Sequence, residues 1–264
     1  MDWNNPDYFW RCNDYGDKMS NKRNNDTNSE KTNIKINNKI NSKTIIISLG
    51  GSIIVPREID VEYLKEFQKL ISDIKKNFDK IIIVAGGGHT ARTYQNASDN
   101  FNVNDDDKDW IGIAATRINA ELLRSILNDC CEEIVQNPNN PPNTKKKIIV
   151  GSGYKPGVST DYDAYLLAKY YNADTIINLS NIDYVYDKDP KKHKDAKKIE
   201  YISWNEFMKL VGDTWIPGAN FPFDPIASKA CMEAKIKVKI LNGKDINNIK
   251  KCLLNERFIG TIIE

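Results

Sequence analysis

The sequence predicts an α/β fold, a mostly parallel β-sheet covered by helices on both faces. Three observations carry that prediction. Short runs of branched apolar residues, with residues 81–84 the clearest, show no alternation, which marks strands buried on both sides. These runs alternate along the chain with segments whose apolar residues recur at helical spacing. Glycine-rich turns follow several of the runs, where a parallel strand hands over to a helix.

The chain of 264 residues is long enough for one large α/β domain. With 38 basic and 36 acidic residues the net charge is +2, which argues against general nucleic-acid binding through a basic surface. Cys12, Cys130, Cys131, Cys231 and Cys252 are odd in number and form no CxxC pair, so neither a disulfide framework nor a zinc site is expected. The expectation is a cytoplasmic protein in a reducing compartment, with no membrane span and no signal peptide.

Residues 1–42 stand apart. From Asp17 onward they are Asn, Lys, Ser and Thr with little apolar content, and a disordered or loosely attached tail is expected. The cluster of Trp3, Tyr8, Phe9, Trp10 and Tyr15 reads either as a docking peptide or as a nonspecific extension. Structure is expected to begin at Thr44, with a buried strand over 44–49 closed by Gly50-Gly51-Ser52. Leu64, Phe67, Leu70, Ile71 and Ile74 then mark the core face of a helix over 61–78. The strand at 81–85 runs into Gly86-Gly87-Gly88 and a further helix carrying Arg92. Asp105, Asp106 and Asp107 read as a solvated loop rather than a metal site. A long helix is expected over 110–127, with Thr116, Arg117 and Asn119 facing either a ligand or another subunit.

Residues 137–147 read as a loop and 148–150 as a short strand. A third glycine-rich turn spans 151–161, where Ser159, Thr160 and Asp161 can cap a helix over 162–171. A strand at 175–179 leads into Ser180-Asn181-Ile182-Asp183. The basic run 191–198 reads as an exposed face. Ser203 with Glu206 forms a capping box for a helix over 202–211. The remainder reads as a loop at 217–225, a helix at 226–234, a strand at 236–241, a helix at 246–254 and a strand at 260–263.

In such sheets, ligands sit beyond the carboxyl ends of the strands, and the glycine turns all lie there. Glycine turns that open helices suit phosphate, because orphan N–H groups and the positive end of the helix dipole meet at one place. Three such turns on one rim point to more than one phosphate-bearing ligand, and a kinase aligning two nucleotides is the economical explanation.

These motifs, in this order, resemble the amino acid kinase superfamily, and within it the archaeal-type uridylate (UMP) kinases. The residues that carry the resemblance are Gly50-Gly51-Ser52; Gly86-Gly87-Gly88 with Thr90-Ala91-Arg92; Asp109 with Gly112, Thr116-Arg117 and Asn119-Ala120; Pro156-Gly157 with Thr160-Asp161; Ser180-Asn181-Ile182-Asp183 with Val185-Tyr186 and Asp189-Pro190; and Asp224-Pro225 with Ala227. The resemblance covers about residues 44–263. It implies a three-layer αβα sandwich over 43–264, with an acceptor-binding N-terminal half and an ATP-binding C-terminal half, usually assembled as a homohexamer. It also implies transfer of the γ-phosphoryl group of ATP to UMP with Mg²⁺. By position, Gly51, Ser52, Gly88 and Arg92 resemble the ATP phosphate-side residues, and Ser180, Asn181, Tyr186 and Asp189 the adenosine side. Gly87, Asp109, Tyr154, Lys155, Pro156, Gly157, Val158, Ser159 and Thr160 resemble the UMP site. Asp161 and Asp224 resemble carboxylates that order the reacting centre, directly or through the metal.

The sequence departs from the family pattern at Ser48, where many superfamily members carry a lysine, and at Tyr184, where glycine is usual. Lys155, His89 and Arg92 are the candidates for the cation that meets the transferring phosphoryl group. The aromatic loop 215–223 and the N-terminal tail are also unlike the pattern. A superfamily kinase with another acceptor, such as isopentenyl phosphate or carbamate, and a non-catalytic nucleotide- or oxyanion-binding protein are the alternatives.

Overall fold

The computed structural model describes residues 43–212 and 221–264. The tail over 1–42 and most of the aromatic loop lie outside the described residues. The first strand, β1 (Thr44–Leu49), is followed by a single helical turn, α1 (Gly51–Ile54), and by α2 (Val61–Ile74). Then come β2 (Lys80–Ala85), α3 (Gly88–Ser98), α4 (Asp105–Ile126), β3 (Ile148–Gly151), α5 (Thr160–Tyr170) and β4 (Thr175–Ser180). Two short strands, β5 (Val185–Tyr186) and β6 (Lys198–Ile199), pair antiparallel as a separate hairpin. The chain closes with β7 (Tyr201–Ile202), α6 (Trp204–Val211), α7 (Pro225–Ala234), β8 (Lys237–Asn242), α8 (Ile246–Leu253) and β9 (Thr261–Ile263).

The main sheet has seven strands in the order β3-β2-β1-β4-β8-β9-β7. The first five are mutually parallel, and β9 turns antiparallel against β8. The sheet therefore grows outward in both directions from the β1–β4 pair. A crevice opens beyond the carboxyl ends of strands at such a switch point, and in open α/β sheets this is where ligands bind.

Strand alternation sorts the core into two layers. Ile45, Ile47 and Leu49 of β1 pack on one face with α2 and α8, while Ile46, Ile82 and Ile149 pack on the other with α5, α6 and α7. The predicted three-layer αβα sandwich is thus observed. On α2 the expected stripe is buried in full, and Asp60 caps the helix by accepting from the Tyr63 N–H at 3.0 Å. The predicted capping box at Ser203 and Glu206 is also present.

The structure differs from expectation in four places. The acidic run is not a loop: α4 begins at Asp105, because Asn104 caps it by accepting from the Asp107 N–H at 2.8 Å, and three acids in the first turn suit the helix dipole. The helix α2 ends at Ile74 in a 3₁₀ turn over Lys75–Asn77. The single turn α1 follows the first glycine turn directly. The two-residue strands β5, β6 and β7 have no sequence signal of their own, since pairing partners far along the chain create them.

Phe67 is wholly buried beneath α2. Phe67→Ala is expected to lower unfolding free energy by roughly 3–5 kcal/mol. Leu210→Ala, at a residue 38% exposed, is expected to cost less than about 1 kcal/mol. Paired urea titrations of the two variants check this contrast.

Candidate active site

The first two glycine turns pack directly on one another. A Cβ on Gly51 would lie 2.0 Å from the Gly88 nitrogen, and a Cβ on Gly86 would lie 2.4 Å from the Gly51 nitrogen. Gly88 has φ +65°, and a Cβ there would lie 2.2 Å from the Gly51 oxygen. No side chain larger than hydrogen fits at this junction, so these glycines serve turn-on-turn packing as well as any approach of a ligand. Gly86 donates to Leu49 O at 2.9 Å, Gly50 donates to Leu179 O at 2.9 Å and His89 donates to Val55 O at 3.0 Å. The buried Asn119 of α4 donates to the Gly86 and Gly87 carbonyls at 2.8 and 3.2 Å.

Among the described residues, the α-helices starting here are the two whose first turns no side chain caps. Gly50 precedes α1 and Gly87 precedes α3, and neither can cap. The remaining α-helices start on Asp60, Asn104, Ser159, Ser203, Asp224 and Asp245, each accepting a backbone N–H with its side chain. At the β1 and β2 ends the His89 N–H is taken by Val55 O and the Ile53 N–H by Gly50 O, and the first-turn N–H groups that remain without a cap suit an anion. Arg92 of α3 reaches across and donates to the Ser52 hydroxyl at 3.3 Å. Gly51, Ser52, Gly88 and Arg92, predicted as one group, are brought together.

Asp161 and Asp224 also meet. Asp161 lies in the first turn of α5, and Asp224 caps α7 by accepting from the Ala227 N–H at 2.7 Å. The Asp161 carboxylate accepts from the Ser48 hydroxyl at 2.9 Å and from the Asn178 amide at 3.1 Å, and its other oxygen accepts from the Asp224 N–H at 3.3 Å. Ser48 and Asn178 are register partners on β1 and β4. They follow Ile46 and Ile176 on the same strand face. Neutral donors therefore hold Asp161, one of them Ser48 at the first-strand position. Burial pushes Asp161 up to about 6, the Ser48 hydrogen bond pulls it down and the charge of Asp224 pushes it up again. Asp224 is likewise raised by burial, against hydrogen bonds from Ala227 and Ser159.

The loop over 152–159 is held by its backbone. The Gly153 N–H donates to the Thr116 hydroxyl at 2.8 Å, the Tyr154 N–H to Asp163 at 3.2 Å and the Gly157 N–H to Asp109 at 2.7 Å. Thr116 and Asn119, expected to face a ligand or a subunit, instead face the chain's own turns. Ser159 caps α5 as predicted, with Thr160 as its first residue. Lys155 is exposed, with its ammonium 5.5 Å from the Tyr154 ring centre. Pro156 and Val158 are half-buried beside it.

Ser180 ends β4, its carbonyl accepting from the Gly243 N–H at 2.7 Å. Asn181 is exposed, and Tyr186 lies half-buried in β5. Asp189 is exposed and accepts from the Lys191 N–H at 2.9 Å, shaping its own turn. Tyr184 packs under Lys198 of β6, whose ammonium is 4.7 Å from the ring centre. Asn178 and Asp163 were not singled out from the sequence. Each carries the same signal, a polar residue at a position whose period is apolar. A separate cavity of about 510 Å³ opens at the opposite end of the sheet, between Lys43, Thr175, Lys239 and Asn255.

The amino acid kinase family model matches residues 43–136 and 143–242. The chain is 38% identical over 226 residues to a uridylate kinase of Methanococcus aeolicus, covering 83% of this chain and 98% of that protein. It is also 38% identical to a uridylate kinase of Thermoplasma volcanium, covering 84% of this chain and 98% of that protein. The crystal structure of uridylate kinase from Archaeoglobus fulgidus superposes with a TM-score of 0.73 at 32% identity, over 83% of this chain and 99% of that one.

Asp163 is pushed up to about 8, chiefly by burial, against the Tyr154 hydrogen bond and with the charge of Asp161 adding to the rise. The folded chain therefore holds this proton more tightly than the unfolded chain. Its cost to stability is absent below roughly pH 4 and grows as pH rises to about 8. Asp163→Asn, which cannot titrate, is expected to gain on the parent by roughly 2–5 kcal/mol between pH 4 and pH 8.5. Thermal unfolding at both pH values measures this, and a difference that does not change with pH would reject the carboxyl as its source.

Proposed function

The chain belongs to the amino acid kinase family, and from that premise we propose that it is a uridylate kinase, transferring the γ-phosphoryl group of ATP to UMP to give UDP and ADP. The observation that carries the kinase chemistry is the pair of uncapped helix starts at the sheet's switch point, beside Arg92 and opposite the Asp161–Asp224 pair. The identity to uridylate kinases over nearly their whole length supports UMP as the acceptor.

Phosphoryl transfer asks for in-line placement and charge stabilisation more than for covalent chemistry. First-turn N–H groups of α1 and α3 other than those of Ile53 and His89, with Ser52, Gly88 and Arg92, hold the triphosphate oxygens and stabilise charge on the group in flight. Ser180, Asn181, Tyr186 and Asp189 line the adenosine side. Gly87, Asp109 and the loop from Tyr154 to Thr160 hold UMP, with Asp109 accepting from the ribose hydroxyls. The UMP phosphate is already an anionic nucleophile, so no general base is required. With Ser48 in place of a lysine, the cation that meets the phosphoryl group is Arg92, with Lys155 closing from the acceptor side.

Asp161 and Asp224 keep the centre ordered. Among the described residues no group of three or more His, Cys, Asp or Glu could hold a metal by itself. Two neighbouring carboxylates suit Mg²⁺, which binds through one or two carboxylates plus substrate phosphates. When bound, Mg²⁺ neutralises charge on the phosphate oxygens. A homohexamer in the cytoplasm is part of the same reading. Among the described residues no helix is long and apolar enough to cross a membrane.

The test is ADP release with ATP, Mg²⁺ and a panel of acceptors: UMP, CMP, dUMP, AMP, carbamate and isopentenyl phosphate. Strong turnover with UMP is expected. Turnover confined to carbamate or isopentenyl phosphate would overturn the acceptor, and ATP binding without any turnover would mark a binding protein. Arg92→Ala is expected to lower kcat about a hundredfold, and Asp109→Ala to raise the KM for UMP at least about tenfold with the KM for ATP unchanged.

A further inference from the structure

Asp163 stands where the fold calls for an apolar residue. It shares the buried face of α5 with Ala164, Leu167 and Ala168, and it is 0% exposed. One carboxyl oxygen accepts from the Tyr154 N–H at 3.2 Å, and the other is buried without a hydrogen-bond partner among the described residues. A half-satisfied carboxyl in a core position is costly, and an alanine or valine there would remove the cost. Nor does α5 need it as a cap, since Ser159 already accepts from the Tyr162 N–H at 3.2 Å. The one thing this side chain does that an apolar residue cannot is hold the Tyr154 backbone.

We propose that Asp163 is a positioning residue of the acceptor site: its buried carboxyl latches the Tyr154 N–H and so fixes where the acceptor loop leaves the sheet. Thr116 holds the adjacent Gly153 N–H and Asp109 the Gly157 N–H, both from α4. Asp163 is the contribution of α5, and it is the point where the loop is tied to the helix that carries Asp161 two residues earlier. The path of Tyr154 and Lys155 is thereby coupled to the placement of the reacting centre. The latch itself is a feature of the free protein, while its effect on UMP rests on the function proposed above.

Two variants of the full chain test it. Asp163→Asn keeps a carbonyl acceptor for the Tyr154 N–H, and Asp163→Val removes it while filling the core. Amide hydrogen exchange at Tyr154 in the ligand-free protein is expected to quicken at least about tenfold in Asp163→Val and to stay near parental in Asp163→Asn. In steady-state assays Asp163→Val is expected to raise the KM for UMP about tenfold, with the KM for ATP within about twofold of the parent, and Asp163→Asn to restore the UMP value. Unchanged exchange at Tyr154 in the valine variant overturns the latch. Faster exchange with an unchanged KM for UMP overturns its positioning role, as does an equal rise in both KM values. Faster exchange in a protein that does not phosphorylate UMP would keep the latch and remove only the acceptor.

Discussion

The closest constraint in the molecule is the contact of one peptide backbone with another, where the Gly50–Gly51 turn lies on Gly86–Gly88. Two strand ends must be side by side for this to happen, and the parallel pairing of β1 with β2 places them so. Both helices that leave the junction then start beside one another. Had Gly51, Gly86 or Gly88 carried a Cβ, the junction would open by about an ångström and the two helix starts would move apart. Asn119 reinforces it from the side by satisfying two carbonyls that the tight turn leaves without strand partners.

Across the crevice the arrangement is electrostatic. Asp161 and Asp224 lie near one another, burial favours the protonated form of both, and the charge of Asp224 adds to that at Asp161. Hydrogen bonds from Ser48, Asn178 and Ser159 hold the pair, and none of these donors carries a charge. In the proposed reading a cation that comes with the substrate would favour the ionised form of both carboxylates, so the pair would be stabilised only with the ligand in place.

Much of this was legible from local pattern. The buried strands declare themselves as apolar runs without alternation, α2 through its periodicity, and α5 and α6 through their caps at Ser159 and Ser203. The grouping of Gly51, Ser52, Gly88 and Arg92 also followed from motif order. What could not be read was set by contacts between residues far apart in the chain. The Gly157 N–H finds Asp109 across 48 positions and the Gly153 N–H finds Thr116 across 37, and nothing local marks either pairing. The acidic start of α4 was misread because three consecutive aspartates look solvated in isolation, whereas Asn104 and the helix dipole make them a helix start. Asp163 and Asn178 stand inside apolar periods, where the interruption of the period carries the information.

The loop over 152–159, proposed above to hold the acceptor, is held through N–H groups of its main chain, at Gly153, Tyr154 and Gly157, by side chains rooted in α4 and α5. These three hydrogen bonds use none of its own side chains at positions 154, 155 and 158. Shape and chemistry are therefore stored in different residues. The outward-facing positions are free to drift or to be redesigned toward a different acceptor while the ribbon that presents them stays where it is. A scaffold wired in this way lends itself to diversification, because a change of substrate does not first require a change of fold.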